Sequence, residues 1–372
     1  MTHRPTHHKS RGALTNPGSR FAAHHAEDFD DGWDTLAADI DTPARVPTRL
    51  HADPARRVIS RNHSPDVPFT ASINPYKGCS HGCIYCFARP SHEYLDHSPG
   101  LDFETELYYK PDAAARFEAE LRAPGYRCTP ITLGANTDPY QPDEKQLKIT
   151  RGLLEVAVRF NQPISIVTKG ALVCRDLDLL ARMAERQLLS VFVSLTSLDN
   201  AIKRTLEPRA ASAAQRLATI RTLREAGVPV GVLIAPVIPM ITDHELESLV
   251  AAAADAGALS AGYVMLRLPH AVKDLFREWL AAHYPDRATH VMSLINQIHG
   301  GRDYDSNWGT RMTGTGVHAD LVARRFALAC RRRGLAHGRS SRGTDGPMAL
   351  STACFAPPPA SGDQHGFDFS PP

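Results

Sequence analysis

Cys79-Ser80-His81-Gly82-Cys83-Ile84-Tyr85-Cys86 places three thiols within eight residues of a 372-residue chain. Three thiolates on so short a loop can each hold one iron of a [4Fe–4S] cluster, as closely spaced cysteines do in ferredoxin-type runs. No fourth cysteine follows at matching spacing, so one iron is left without a protein thiolate. An open coordination site is a place for chemistry rather than for electron storage alone. Other uses of the thiols stay open at this point. With His81 or His92 they would make a Cys3His structural zinc site. Disulfides are opposed by the odd total of seven cysteines, and inert core thiols would leave the spacing beside Gly78 and Gly82 a coincidence.

Composition narrows the class. A net charge of +2 points by itself neither to a nucleic acid nor to an acidic membrane. No apolar stretch reaches the ~20 residues a membrane span requires. Met1 to Arg20 is rich in His, Arg, Ser and Thr without an apolar signal core, so a cytoplasmic protein with reduced thiols is expected.

The chain divides into parts by pattern. Residues 1–65 are polar, with acidic Asp28, Asp30 and Asp31 and several prolines, and read as a loosely ordered arm. Residues 341–372, closing on Ser370-Pro371-Pro372, read as a disordered tail. Between them apolar strand-like runs alternate with helical stretches. Strands are expected at Phe69 to Asn74, Thr129 to Gly134, Ile164 to Thr168, Leu189 to Leu195, Val230 to Ala235 and Gly262 to Leu268. Helices are expected at Asp112 to Arg122, Gly152 to Phe160, Leu177 to Arg186, Ala213 to Ala226 before Gly227, Asp243 (as cap) to Ala256, and Lys273 to His283. Such alternation implies a parallel α/β sheet covered by helices. Six units are too few for an eight-stranded closure. A partial (β/α)6 TIM-like barrel over 66–284 follows, with a helical extension over 285–340.

Parallel barrels carry their sites at the C-terminal ends of their strands. There stand Asn136-Thr137-Asp138-Pro139-Tyr140, Thr168-Lys169-Gly170, Ser194-Leu195-Thr196-Ser197 and Ile234-Ala235-Pro236. Each has a plain structural reading: Asp138 as a turn former, Lys169 as a solvated charge, Ser194 as a backbone bonder.

The cysteine run, C-x3-C-x2-C with an aromatic before the last thiol, resembles the signature of the radical SAM superfamily. The resemblance implies that Cys79, Cys83 and Cys86 bind a [4Fe–4S] cluster whose free iron chelates S-adenosylmethionine (SAM). An electron from a flavodoxin- or ferredoxin-like donor then cleaves SAM to a 5′-deoxyadenosyl radical. It also implies that Thr137 and Asp138 hold the SAM amino group, that Lys169 and Ser194 contact carboxylate and ribose, that Ala235 faces the adenine, and that Tyr85 belongs to the same site. The barrel is the core fold of that superfamily.

Asn74-Pro75-Tyr76-Lys77-Gly78-Cys79, Cys86-Phe87-Ala88-Arg89-Pro90, Asn136-Thr137-Asp138-Pro139-Tyr140-Gln141-Pro142 and Val167-Thr168-Lys169-Gly170 resemble the spore photoproduct lyase-like group, often labelled DNA-repair photolyases. True members of that name carry a hydrogen-donating cysteine in the loop after the second strand, where this chain has Asn136. They carry a relaying tyrosine after the third cluster cysteine, where it has Phe87. Both departures speak against thymine-dimer reversal. Cys128, just before the second strand, is the nearest substitute donor; an inert role is the better reading for it, as for Cys174 and Cys330.

Basic and aromatic residues at Arg302, Tyr304, Trp308 and Arg311, and at Arg324, Arg325 and Arg331 to Arg333, suit phosphates and bases; for the arginine pairs a solvated helix face with a basic C-terminal turn is the better reading. The substrate is thus open, with nucleic acid among the candidates, and no catalytic residue is assigned. Two other classes remain in play: a zinc-stabilised nucleic-acid-binding protein, and an iron–sulfur redox or sensor protein that never cleaves SAM.

Overall fold

A computed structural model describes residues 8, 10–21, 46–338 and 346–359. The strands are β1 (Arg49–Ala52), β2 (Ile59–Arg61), β3 (Ala71–Ile73), β4 (Tyr76–Lys77), β5 (Glu106–Tyr109), β6 (Ile131–Leu133), β7 (Ile164–Thr168), β8 (Leu189–Ser194), β9 (Val230–Val237), β10 (Ser260–Met265) and β11 (Ala336–His337). The main sheet has the order β11-β10-β9-β8-β7-β6-β3-β2. Its six central strands, from β3 to β10, all run parallel. This is the partial α/β barrel read from the alternation, with β2 added antiparallel at one edge and β11 parallel at the other. A small second sheet, β1-β5-β4, stands beside it.

Helices cover the sheet: α1 (Ala113–Arg122), α2 (Ile149–Phe160), α3 (Leu177–Ala184), α4 (Ala213–Glu225), α5 (Leu246–Asp255), α6 (Val272–His283), α7 (Pro285–Ile298) and α8 (Gly316–Arg333). Ile131, Ile164, Ile166, Val191, Val193 and Val232 on the strands meet Phe117, Leu153, Leu180, Ile220 and Leu249 from the helices in one apolar core. Burial of these side chains on both faces of the sheet is the main driving force for the fold. Ser212 and Gln215 form a reciprocal capping box at the start of α4, and the chain leaves its end through Gly227 in the left-handed region, as its sequence predicts.

Three expectations need correction. Asp243 does not cap α5: it opens a short 3-10 turn after Thr242, and its carboxylate faces His318 Nε2 at 3.6 Å. The arm expected to be loose over 1–65 instead contributes β1 and β2, and at Gly12 to Leu14 it is buried; Asp28, Asp30 and Asp31 lie outside the described residues. The expected tail is packed over 346–359, where the Phe355 ring lies tilted against Tyr126 at 5.4 Å and Ala356 N donates to Phe160 O at 3.1 Å. Residues 341–345 and 360–372 lie outside the described residues.

The partial barrel is bridged between its first and last strands. Arg311 pairs with Asp66, ahead of β3, and donates to Ser64 Oγ at 2.5 Å. The next residue, Met312, accepts from Met265 N at the end of β10 at 2.8 Å. Among the described residues no helix is long and apolar enough to cross a membrane.

Candidate functional site

The cysteine loop leaves β3 through Asn74 and returns over the C-terminal ends of the strands. Its motif residues bond to one another. Asn74 Oδ1 accepts from Asn136 N at 2.9 Å, and Thr137 Oγ1 donates to Tyr76 O at 2.8 Å. Ser80 N, directly after the first cysteine, donates to Gln141 Oε1 at 2.8 Å, while Ser80 Oγ donates to Asp143 at 2.6 Å. The strings that look like a family signature are therefore two halves of one hydrogen-bonded loop pair.

From the other side, the N-terminal segment straps the loop. Gly12 N and Ala13 N donate to the two oxygens of Glu104 at 3.0 and 2.9 Å, and the same carboxylate takes the guanidinium of buried Arg89 at 2.5 Å. Arg89 in turn donates to Cys83 O at 3.0 Å. Gly12 lies so close to Gly82 that a Cβ on it would sit 1.9 Å from the Gly82 carbonyl oxygen, and Gly82 has φ +69°. Only glycine meets both demands.

All seven cysteines are unbridged; Cys79 and Cys83 are buried and Cys86 half-buried. Cys86 packs against both the Cys79 side, with Ala88 and Phe103, and the Cys83 side, with Ile84. Burial pushes each thiol up: Cys83 to about 12, and Cys79 well above the usual thiol range, by burial first and then by Asp138 and the other two thiols. Neutral thiols crowded in such a cradle become thiolates when cationic iron is bound. The donor set fits an iron–sulfur cluster with three protein ligands. It fits zinc less well. His92 spends Nε2 on Glu106 O at 2.8 Å, and His81 Nδ1 faces Asp138 at 3.4 Å. Among the described residues no three His, Cys, Asp or Glu side chains gather around a single-ion position.

Of the residues expected to meet SAM, the structure brings Tyr85, Lys169, Ser194 and Ala235 together. Lys169 Nζ donates to Ser194 Oγ at 2.5 Å and stands 5.7 Å from the Tyr85 ring. Ser194 Oγ is 3.4 Å from Ala235 O. Asp138 and Thr137 have internal partners instead. Asp138 accepts from Tyr140 N at 2.8 Å, Thr168 Oγ1 at 2.7 Å and Lys169 N at 2.7 Å. Burial disfavours its ionised form, but His81 and these hydrogen bonds outweigh burial and hold the carboxyl below its usual range. Its carboxylate is occupied in setting the ends of β6 and β7.

Sequence reasoning missed Glu207 and Arg216. Glu207 is 2% exposed and accepts from Tyr85, from Thr196 Oγ1 at 2.9 Å and from Arg216, with Lys169 Nζ at 3.5 Å. Burial opposes its charge, yet Arg216 and Lys169 hold it well below the carboxylate range. The backbone on either side clamps the cysteine loop: Leu206 O accepts from Ile84 N at 3.2 Å, and Arg209 N donates to His81 O at 3.1 Å. The available signal was the string Leu206-Glu207-Pro208-Arg209, opposite charges either side of a proline at the end of the short helix Asn200–Leu206 that follows β8.

The basic C-terminal residues and Cys128 take structural places. Arg311 is occupied by Asp66, while Arg325 and Arg333 pair with Glu247 and Asp255 on the neighbouring helix, so these arginines serve the fold. Cys128 lies before β6, at the end of the strand away from the site, with Sγ 3.5 Å from Gln162 Oε1.

Known proteins are similar to this chain in sequence and in fold. Residues 73–253 match the description Radical SAM superfamily. An uncharacterised protein of Mycobacterium tuberculosis is 40% identical over 233 residues, 62% of this chain and 68% of that one. An uncharacterised protein of Methanocaldococcus jannaschii is 27% identical over 191 residues, 51% of this chain and 68% of its own. In three dimensions the fold is similar to that of a spore photoproduct lyase solved with dinucleoside spore photoproduct, with TM-score 0.55, 16% identity, and coverage of 77% of this chain and 80% of the other. Cysteine loop, parallel strand ends and these matches agree: the chain belongs to the radical SAM superfamily, enzymes that use a [4Fe–4S] cluster and S-adenosylmethionine.

Proposed function

We propose that Cys79, Cys83 and Cys86 each bind one iron of the [4Fe–4S] cluster, and that the ends of β6 to β9 receive SAM beside it. When bound, the two cofactors supply the 5′-deoxyadenosyl radical that removes a hydrogen atom from the substrate. The observation that carries this reading is the convergence of Lys169, Ser194 and Tyr85 next to the cysteine loop. Lys169, already held by Ser194 and Glu207, offers its ammonium to the SAM carboxylate. Ser194 Oγ and Ala235 O line the ribose and adenine side. Thr137 lines the amino side, while Asp138 acts through Lys169 and Thr168 by fixing their backbone and hydroxyl. Glu207 and Arg216 leave a surplus positive charge with Lys169, which one carboxylate neutralises.

For the substrate, nucleic acid is the first class to test, since a protein of similar fold is described with a dinucleoside photoproduct. A flavodoxin- or ferredoxin-like protein in the cytoplasm is proposed as the electron source. Anaerobic reconstitution, reduction with dithionite and assay for 5′-deoxyadenosine tests the chemistry. Formation of 5′-deoxyadenosine that disappears in Lys169→Ala supports it. An iron-replete, reduced protein that forms none favours a redox or sensor role, and zinc without iron after anaerobic purification favours a structural metal site.

A further inference from the structure

Arg267 follows the end of β10, and its guanidinium lies over two rings, 5.1 Å from the Phe87 centroid and 5.9 Å from that of Tyr304. Stacking occupies the faces of a guanidinium and leaves its N–H edge for hydrogen bonds. That edge is poorly served. Nη1 faces the Met312 thioether at 3.3 Å, Nη2 faces the Tyr304 hydroxyl at 3.3 Å, and Nε is buried without a partner. Among the described residues no carboxylate reaches it, although Asp303 pairs with Arg277 at 2.7 Å and Asp66 with Arg311 in the same region. A half-buried cation with unfilled donors calls for an anion.

We propose that Arg267 is a substrate subsite that takes an oxyanion, phosphoryl or carboxylate, carried on a planar ring that lies against Phe87. Phe87 directly follows Cys86 and is 44% exposed, so a ring on it stands at the edge of the cysteine loop. A carboxylate or phosphoryl group accepts two parallel bonds from the guanidinium edge without disturbing either stack. The assignment rests on reading that loop as the cluster site, which makes Phe87 the rim of the reacting region.

Calorimetric titration of the anaerobically reconstituted, SAM-loaded protein with phenyl phosphate, benzoate and phenol separates ring from anion. One of the anions should bind about tenfold or more tightly than phenol, the margin of a charge-assisted hydrogen bond; the better anion names its source. Arg267→Gln should erase that preference, and Arg267→Lys should keep part of it, the charge remaining and the planar fork being lost. If Arg267→Gln fails to fold, the partial loss in Arg267→Lys carries the test. Three probes binding alike, or none binding, overturns the subsite. So does a preference that survives both substitutions, or a loss of SAM affinity in place of probe affinity, which would give Arg267 to SAM. Anion preference without 5′-deoxyadenosine formation removes the radical reading and keeps the subsite; the converse removes the subsite alone.

Discussion

The phenol of Tyr85 donates to the carboxylate of Glu207, 122 positions further along the chain. Tyr85 sits between the second and third cysteines, and Glu207 also holds Arg216 and faces Lys169. One buried carboxylate thus joins the cysteine loop to the ends of β7 and β8.

Removing that charge strands Arg216 inside the protein. Glu207→Gln should destabilise the fold by about 3–5 kcal/mol, the cost of breaking a buried ion pair by removing one partner. SAM affinity should fall with it, because Lys169 loses a partner. Urea denaturation and SAM titration of the same preparation check both; wild-type values in both would reduce Glu207 to a bystander.

Replacing Cys79, Cys83 or Cys86 by Ala should abolish the brown colour, the iron content and 5′-deoxyadenosine formation. The fold should survive, since the core between β6 to β9 and their helices contains none of these three residues. Circular dichroism of the triple variant decides. Global unfolding would point to a structural metal.

Lys169→Ala should weaken SAM binding roughly tenfold to a hundredfold while iron is retained, the loss of one charge-assisted bond of about 1.5–3 kcal/mol. Asp138→Ala should also weaken it, through the displaced Lys169 backbone, and should release Thr168 as well, which Lys169→Ala leaves in place. Unchanged SAM affinity in both variants would take these strand ends out of the site.

His92 gives an acid-side dependence of stability. Burial is the main cause pushing it down to about 4, with its N–H donated to Glu106 O and Nδ1 buried without a hydrogen-bond partner. The unfolded chain takes up the proton near pH 6.5. Stability from this group is therefore complete above that pH, falls as pH drops towards about 4, and levels off below. The full loss is at most about 3 kcal/mol. Denaturation of iron-free protein across this range should show a shallower fall in His92→Gln than in wild type. Parallel curves would mean that His92 is not the titrating group.

Reversal of spore photoproduct is not expected. An amide at Asn136 cannot donate a hydrogen atom as a thiol does, and Phe87 has no O–H to pass a radical along. Cys128 cannot take over, because it lies at the opposite end of β6. Irradiated thymine-containing DNA incubated with reconstituted enzyme, SAM and reductant should yield no restored thymine, with or without Cys128→Ala. Repair lost in Cys128→Ala would overturn the placement of that thiol.

The barrel was legible because its signals are local. Ile164–Thr168 is a strand from its first to its last expected residue, and Gly227 ends α4 where its missing side chain permits the turn. The last barrel strand was set two residues late at its start: Ser260 and Ala261 pair with Gly231 and Val232, a partnership only the sheet reveals. That Lys169, Ser194 and Tyr85 come together was legible through strand ends and motif. Glu207, Glu104 and the strap at Gly12 were not, because each acts across 90 or more residues, or through a lone charge, with no periodicity to announce it. Asp138 misled for a related reason. A carboxylate at a strand end reads as free, and only the folded neighbours show that it already accepts three hydrogen bonds.

The stitch of Asp66–Arg311 and Met265–Met312 across the barrel's seam has a consequence for admission. A six-stranded sheet left open would let a bulky polymer slide in sideways and water follow it. Stitched, the seam resists lateral entry, which favours a large molecule that offers its reacting group as a protrusion over the strand ends. Selection by reach then precedes selection by chemistry.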